Sequence, residues 1–215
     1  MIMSVKRAVF IDVDGTLTDD ISGWEKIHLR FDLEDEMNKN VERFFAGEID
    51  YDQWALDDVA MWKGKSYLEF QEALKNPKLR KGAIEGVSKL KNAGFDVILV
   101  SGGLDEMVKH VALSVNADRF YSNEIGHTNG ILDGSLTIKV GNSKSDVIKK
   151  IAKENEYNLD VCGAIGDNVN DIGMFGQVGY AVAINTENEE VIKAANEVVY
   201  TQNFADAAQK VIEKL

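Results

Sequence analysis

Near-continuous apolar runs recur along the chain at residues 7–12 (RAVFID), 95–100 (FDVILV), 161–165 (VCGAI) and 179–184 (GYAVAI), with a shorter one, VVY, at 198–200. Runs of this length without polar alternation suit strands that are covered on both faces. Between them, apolar positions fall three and four residues apart. Ala83, Ile84, Val87 and Leu90 define one helical face, stopped by Gly94; Leu104, Met107, Val108 and Val111 define a second. Val147, Ile148 and Ile151 define a third, and Phe204, Ala208, Val211 and Leu215 the last. Strands alternating with helices predict an α/β fold with a largely parallel sheet flanked by helices.

Two segments break this alternation. Residues 19–79 show helical spacing and no convincing strand: Trp24, Ile27, His28 and Phe31, then Tyr51, Trp54 and Trp62. Asp50 followed by Gln53 resembles a capping-box start. We read 19–79 as a helical insertion that packs on itself and covers an α/β core made of 1–18 and 80–215. Residues 120–140, FYSNEIGHTNGILDGSLTIKV, place Asn-Gly and Asp-Gly pairs between short apolar runs, which predicts a β-hairpin.

Composition narrows the function classes. The 215 residues, 45% of them hydrophobic, suit one large domain or a domain carrying a smaller insertion. VILV at 97–100 and YAVAI at 180–184 are far short of the roughly 20 residues a membrane helix needs, so no membrane partner is expected. The N-terminal MIMSVKRAVF lacks the apolar centre and cleavage site of a secretory leader, and the single Cys162 forbids an intrachain disulfide. A cytoplasmic location is therefore the expectation. Cys162, within VCGAI, is expected to be a small buried hydrophobe rather than a nucleophile. The net charge is −12, and no Lys/Arg stripe supplies the basic footprint that nucleic acids require. Any phosphorylated ligand must then be held by local cations.

Polar residues gather where parallel strands should end, and there open sheets bind ligands. The first strand delivers Asp12 and Asp14, the second Ser101, Gly102 and Gly103. The third delivers Gly166, Asp167, Asn168, Asn170 and Asp171, while Lys144, in GNSKSD, opens the helix of Val147 and Ile151. Clustered carboxylates with room for water and substrate oxygens suit Mg²⁺. A serine followed by two glycines lets backbone N–H groups approach an anion, and Lys144 adds a positive charge. Metal, hydroxyl, amides and lysine together make a phosphate site. The three histidines, His28, His110 and His127, are scattered, and packing or solvent is their expected fate.

DVDGT, SGG, the lone Lys144 and GDNVND, in that order, resemble the four motifs of the haloacid dehalogenase (HAD) superfamily. The spacing, the helical insertion and the stretch GFDVILVSGG are most similar to its phosphoserine-phosphatase branch. The resemblance implies a Rossmann-like HAD core with an inserted helical cap domain, and a Mg²⁺-dependent phosphomonoesterase acting on a small phosphorylated metabolite through an aspartyl phosphate. It makes Asp12 the nucleophile and Asp14 the acid and base, with Thr16 fixing Asp14. Ser101, Gly102, Lys144 and Asn170 would hold phosphate, and Asp12, Asp14, Asp167 and Asp171 the metal or its waters. It also implies a cap hinged near Thr18–Gly23 and Pro77–Gly82.

The cap departs from that branch. Motif spacing puts Ile21 where those enzymes bind the serine amine with an acid, with Asp19, Asp20 and Glu25 nearby. Aligning FFAGEIDYDQWALDDVA puts Asp58 where they bind the carboxylate with an arginine, while Phe45 and Tyr51 keep apolar character over the substrate. Arg43 or Lys63 would have to supply any replacement cation. The expectation is a monoester other than phosphoserine, neutral or cationic in its organic part, with phosphoserine itself the alternative. Two further alternatives stay open: a phosphomutase, and a phosphoacceptor signalling domain, although the latter lacks a helical insertion. A P-loop triphosphatase is not expected, because GNSKS lacks the upstream glycine and the Gly-Lys step.

Overall fold

The computed structural model describes residues 5–215; Met1–Ser4, on which the expectation about a leader partly rests, lie outside the described residues. The apolar runs form strands β1 (Ala8–Ile11), β2 (Asp96–Leu104), β3 (Arg119–Thr128), β4 (Ile131–Thr137), β5 (Gly163–Gly166), β6 (Tyr180–Ile184) and β7 (Glu197–Val199). They build one seven-stranded sheet in the order β4-β3-β2-β1-β5-β6-β7. All neighbours are parallel except β3 and β4, which are antiparallel. The β3–β4 pair is the predicted hairpin. Its turn is Asn129-Gly130, both at positive φ (51° and 78°) as the tight hairpin turn demands. Asp133-Gly134 is not a turn: it lies inside β4, near a shift in pairing register.

The insertion follows β1 and forms four helices, α1 (Gly23–Arg30), α2 (Glu34–Phe45), α3 (Tyr51–Met61) and α4 (Tyr67–Leu74). Ser22, Asp50 and Ser66 cap three of them by accepting from the amides of Glu25, Gln53 and Glu69. The Asp50–Gln53 capping box is only half made, because the Gln53 side chain donates instead to Asp57 at 2.6 Å. The insertion does not pack on itself alone. Ile27, Val59, Trp62, Phe70 and Leu74 share a buried cluster with Leu104, Met107, Ile125 and Leu132 of the core and hairpin. Its two connecting segments are tied together: Thr18 bridges Leu79, and Asp19 N–H donates to the Lys78 carbonyl at 2.9 Å.

The remaining helices cover the sheet: α5 (Ala83–Asn92), α6 (Asp105–Val115), α7 (Ser145–Asn155), α8 (Ile172–Phe175), α9 (Glu189–Ala194) and α10 (Phe204–Lys214). Val9 and Ile11 of β1 pack towards α5, α6 and α10, while Ala8 and Phe10 pack towards α7, α8 and α9. This two-sided burial is why the strands read as unbroken apolar runs. Helices α8 and α9 escape periodicity because neither reaches two full turns. Cys162 is buried just before β5, at the end of that strand opposite Asp167, and its sulfur accepts from Ala8 N–H.

Candidate active site

Strand order reverses at β1, with β2 on one side and β5 on the other, so the carboxyl ends of the parallel strands β1, β2 and β5 face one crevice. Asp12 extends β1 by donating its N–H to the Ile165 carbonyl at 2.9 Å. Val13–Leu17 then makes a wide turn closed by Thr18 N–H on the Val13 carbonyl. Gly15 sits at φ +83°, and a Cβ there would collide with the Asp167 carboxylate, so the DGT step requires glycine. Thr16, two residues after Asp14, donates its hydroxyl to Asp167 at 2.7 Å.

Around this turn, Asp12, Asp167 and Asp171 each bring a carboxylate oxygen to within 4.8 Å of the others. Lys144 immediately precedes α7 and is fully buried, donating to Asp12 and, at 2.6 Å, to Asp171. The second oxygen of Asp171 accepts the amides of Asp167 and Asn168 at 2.9 and 3.1 Å. Ser101 is buried, and its hydroxyl accepts from Gly103 N–H. Ser101–Gly103 belongs to β2 itself, in a bulged extension, rather than to a loop after it. A Cβ on Gly103 would come within 2.7 Å of an Asp14 oxygen.

Burial pushes the Asp12 carboxyl well above its usual range; Lys144 opposes the shift, and the charges of Asp171 and Asp167 add to it. Burial and then the Asp12 charge push Asp14 up to about 7, and burial and Asp171 push Asp167 up to about 6. Burial disfavours the Lys144 charge, yet Asp12 and Asp171 hold its pKa above the ordinary lysine value. Four carboxylates therefore share one lysine, and Asp14 Oδ1 and Asn170 Oδ1 are buried without a hydrogen-bond partner. This all-oxygen set, short of positive charge, fits a hard divalent cation.

A polar pocket of about 140 Å³ lies over these groups, lined by Asp12, Asp14, Ser101, Gly102, Gly103, Asn168 and Asn170 and walled by Trp24 and Tyr51 of the insertion. Trp24 and Tyr51 also wall a larger cavity, about 370 Å³, among α1, α2 and α3. The cap residues chosen from sequence separate here. Tyr51 is in both cavities, and Asp58 is buried in the larger one. Ile21 is 40% exposed on an outer groove beside Lys26 and Arg30, and Phe45 is 79% exposed at the end of α2. Ile21 fails because the chain turns at Asp20–Ser22 before α1 begins, which sends the next helical turn, with Trp24 and Glu25, inward. Arg43 is paired with Asp57 at 2.8 Å, and Lys63 lies against Gly134 of β4, so neither lines the cavity. His28 packs, as expected, but it also lines the cavity.

Two residues near the crevice carry no sequence signal. Buried Arg80 donates to the Thr16 and Gly15 carbonyls at 2.9 and 2.6 Å, holding the turn that bears Asp14. Buried Asn123 donates to the Gly102 and Val140 carbonyls and accepts from Lys139 and Val140 N–H. It ties the end of β2 to the segment leading to Lys144.

Residues 6–179 match the family model described as haloacid dehalogenase-like hydrolase. The chain belongs to this family. Among HAD relatives, it is 32% identical over 186 residues to a phosphoserine phosphatase of Lactococcus lactis, covering 84% of each chain. To a phosphoserine phosphatase of Methanocaldococcus jannaschii it is 29% identical over 180 residues, covering 83% of this chain and 85% of the relative. A solved structure described as a phospho-aspartyl intermediate analogue of phosphoserine phosphatase superposes with a TM-score of 0.83 at 26% identity, over 96% of this chain and 99% of that one. The protein is thus a HAD-type phosphoric monoester hydrolase with a Rossmann-like core and a helical cap, phosphoserine phosphatase-like in sequence and fold. Among the described residues, no helix is long and apolar enough to cross a membrane.

Proposed function

We propose that this HAD hydrolase removes phosphate from a small phosphorylated metabolite by way of an aspartyl phosphate on Asp12. The observation that carries the reading is the convergence of Asp12, Asp14, Lys144, Asp167 and Asp171 beneath a pocket of phosphate size. An Asp12 oxygen forms a bond to phosphorus while the ester P–O bond breaks, and the departing alkoxide takes the proton of Asp14. A carboxyl held at about 7 carries that proton near neutral pH, so it serves as an acid first and as a base afterwards. In the second half, Asp14 accepts a proton from water as the water oxygen attacks phosphorus, freeing Asp12 and inorganic phosphate. Lys144, the Ser101 hydroxyl and the backbone at Gly102 offset charge on the phosphoryl oxygens, with Asn170 beside them. Asp12, the Asp14 carbonyl and Asp167 would hold Mg²⁺, with Asp171 behind them. When bound, that ion supplies positive charge against the phosphoryl oxygens and the nucleophile.

The test is Asp12→Asn assayed on 4-nitrophenyl phosphate with Mg²⁺. Turnover should fall by roughly 10⁴-fold or more, as for other nucleophile deletions, with the thermal transition of the fold preserved. Activity retained within an order of magnitude would sink the mechanism.

A further inference from the structure

The walls of the larger cap cavity have an unusual chemistry for a protein that handles anions. They combine three aromatic side chains, Trp24, Tyr51 and Trp54, with two carboxylates, Glu25 and Asp58, and no lysine or arginine. Tyr51 and Trp54 stand edge to face with centroids 6.5 Å apart. Basic residues on the adjoining helices α1 and α2 are engaged elsewhere: Lys26 with Asp20 at 2.5 Å and Arg43 with Asp57 at 2.8 Å.

Asp58 Oδ1 accepts from Asn40 at 2.8 Å and lies 3.7 Å from Nε2 of the fully buried His28. His28 Nδ1 donates to the Trp24 carbonyl at 2.9 Å, so in the neutral ring Nε2 is a lone pair, and it has no hydrogen-bond partner. Asp58 and His28 Nε2 therefore lie side by side as acceptors at the cavity wall, and the neighbouring donor is the Nε1–H of Trp54, itself without a hydrogen-bond partner. Burial pushes the Asp58 carboxyl up; the Asn40 hydrogen bond, His28 and Trp54 oppose that shift, and the charge of Asp57 adds to it. A positively charged N–H donor satisfies both groups and lies against rings that attract cations, whereas a carboxylate meets two like charges.

We infer that this cavity selects the organic half of the substrate, and that it takes phosphate monoesters whose alcohol carries a protonated amine and no carboxylate. The inference rests on the phosphomonoesterase reading of the adjoining pocket. The ester sits at Asp12, the alkyl chain passes Trp24 and Tyr51, and the ammonium reaches Asp58 and His28 Nε2. Glu25 adds negative charge to the same wall.

Matched esters test this on the Mg²⁺-loaded enzyme: 2-aminoethyl phosphate against propyl phosphate, and 5-aminopentyl phosphate against hexyl phosphate. Phosphoserine is the carboxylate-bearing comparison and 4-nitrophenyl phosphate the generic one. The amine of at least one pair should show kcat/KM about tenfold or more above its alkyl partner, and phosphoserine should fall below 2-aminoethyl phosphate. Equal values within both pairs, or phosphoserine ahead, overturn the inference even while 4-nitrophenyl phosphate is turned over. Failure to hydrolyse any ester overturns the phosphomonoesterase reading instead. Tryptophan emission then judges the cavity: 5-aminopentanol should bind at least about tenfold more tightly than hexanol, and equal affinities overturn the inference. Asp58→Asn should collapse the amine-to-alkyl ratio. Glu25→Gln, at a partly exposed position, decides if the first variant fails to fold, and an unchanged ratio in every folded variant overturns the assignment.

Discussion

Lys144 stands alone in GNSKSD, and a solitary lysine at a helix start is ordinarily solvated. Here its ammonium is fully buried between Asp12 and Asp171. Removing one partner of such a cluster leaves uncompensated buried charge, so Lys144→Met should lose about 3–5 kcal/mol in urea denaturation at neutral pH, besides losing turnover. Added Mg²⁺ should restore part of that stability. Asp14 gives a sign that can be checked. Its folded pKa of about 7 lies above the ordinary 3.8, so between those values the folded state holds a proton that the unfolded chain has released. Its contribution to stability is complete below about pH 4 and is lost as pH rises to about 7. Asp167, raised to about 6, acts in the same direction over a narrower window. In metal-free protein, the stability of wild type relative to Asp14→Asn should therefore fall from pH 4 to pH 7. A difference that grows with pH would refute the burial argument.

At the scale of elements, the site depends on how the β1 turn is held. Gly15 permits the turn, and Arg80, from the segment that returns from the insertion, clamps its carbonyls. DVDGT announces the turn because its glycine and acids are local to it. Arg80 is invisible because its partners lie 64 and 65 residues away, and no spacing rule reaches that far. Arg80→Met leaves two buried carbonyls without their charged donor, which should cost about 2–3 kcal/mol of stability. By loosening Asp14, it should also lower kcat about tenfold or more while KM changes little. A KM effect with kcat intact would place Arg80 outside the catalytic turn. The short helices α8 and α9 were illegible for a different reason, since four and six residues cannot display a helical period.

For the whole molecule, a net charge of −12 is reconciled with the proposed phosphate pocket by burying one lysine among the acids. The insertion is anchored unevenly. Helices α1, α3 and α4 contribute Ile27, Val59, Phe70 and Leu74 to the cluster shared with the core, whereas α2 buries only Asn40 and starts at Leu33 without a side-chain cap. Met37 and Val41 of α2 form one wall of the cap cavity. Opening of the cap should therefore begin at α2. Hydrogen exchange should find the amides of Glu34–Phe45 exchanging fastest among the four insertion helices, and slowing when phosphate and Mg²⁺ are added. Exchange in α2 as slow as in α4 would exclude it as the moving part.

The sequence by itself determined the alternation of strands and helices, the hairpin and the gathering of Asp12, Ser101 and Asp167 near strand ends, because each depends on local periodicity or on residues fixed to a strand end. The resemblance of the cap segment to the phosphoserine-phosphatase branch is what singled out Asp58. Only the tertiary structure decided that Ile21 and Phe45 face away while Glu25, His28 and Trp54 face the cavity. The direction of a helical side chain is set by where its helix begins and what it packs against, and in the insertion both depend on contacts with β2, α6 and the β3–β4 hairpin, far away in sequence.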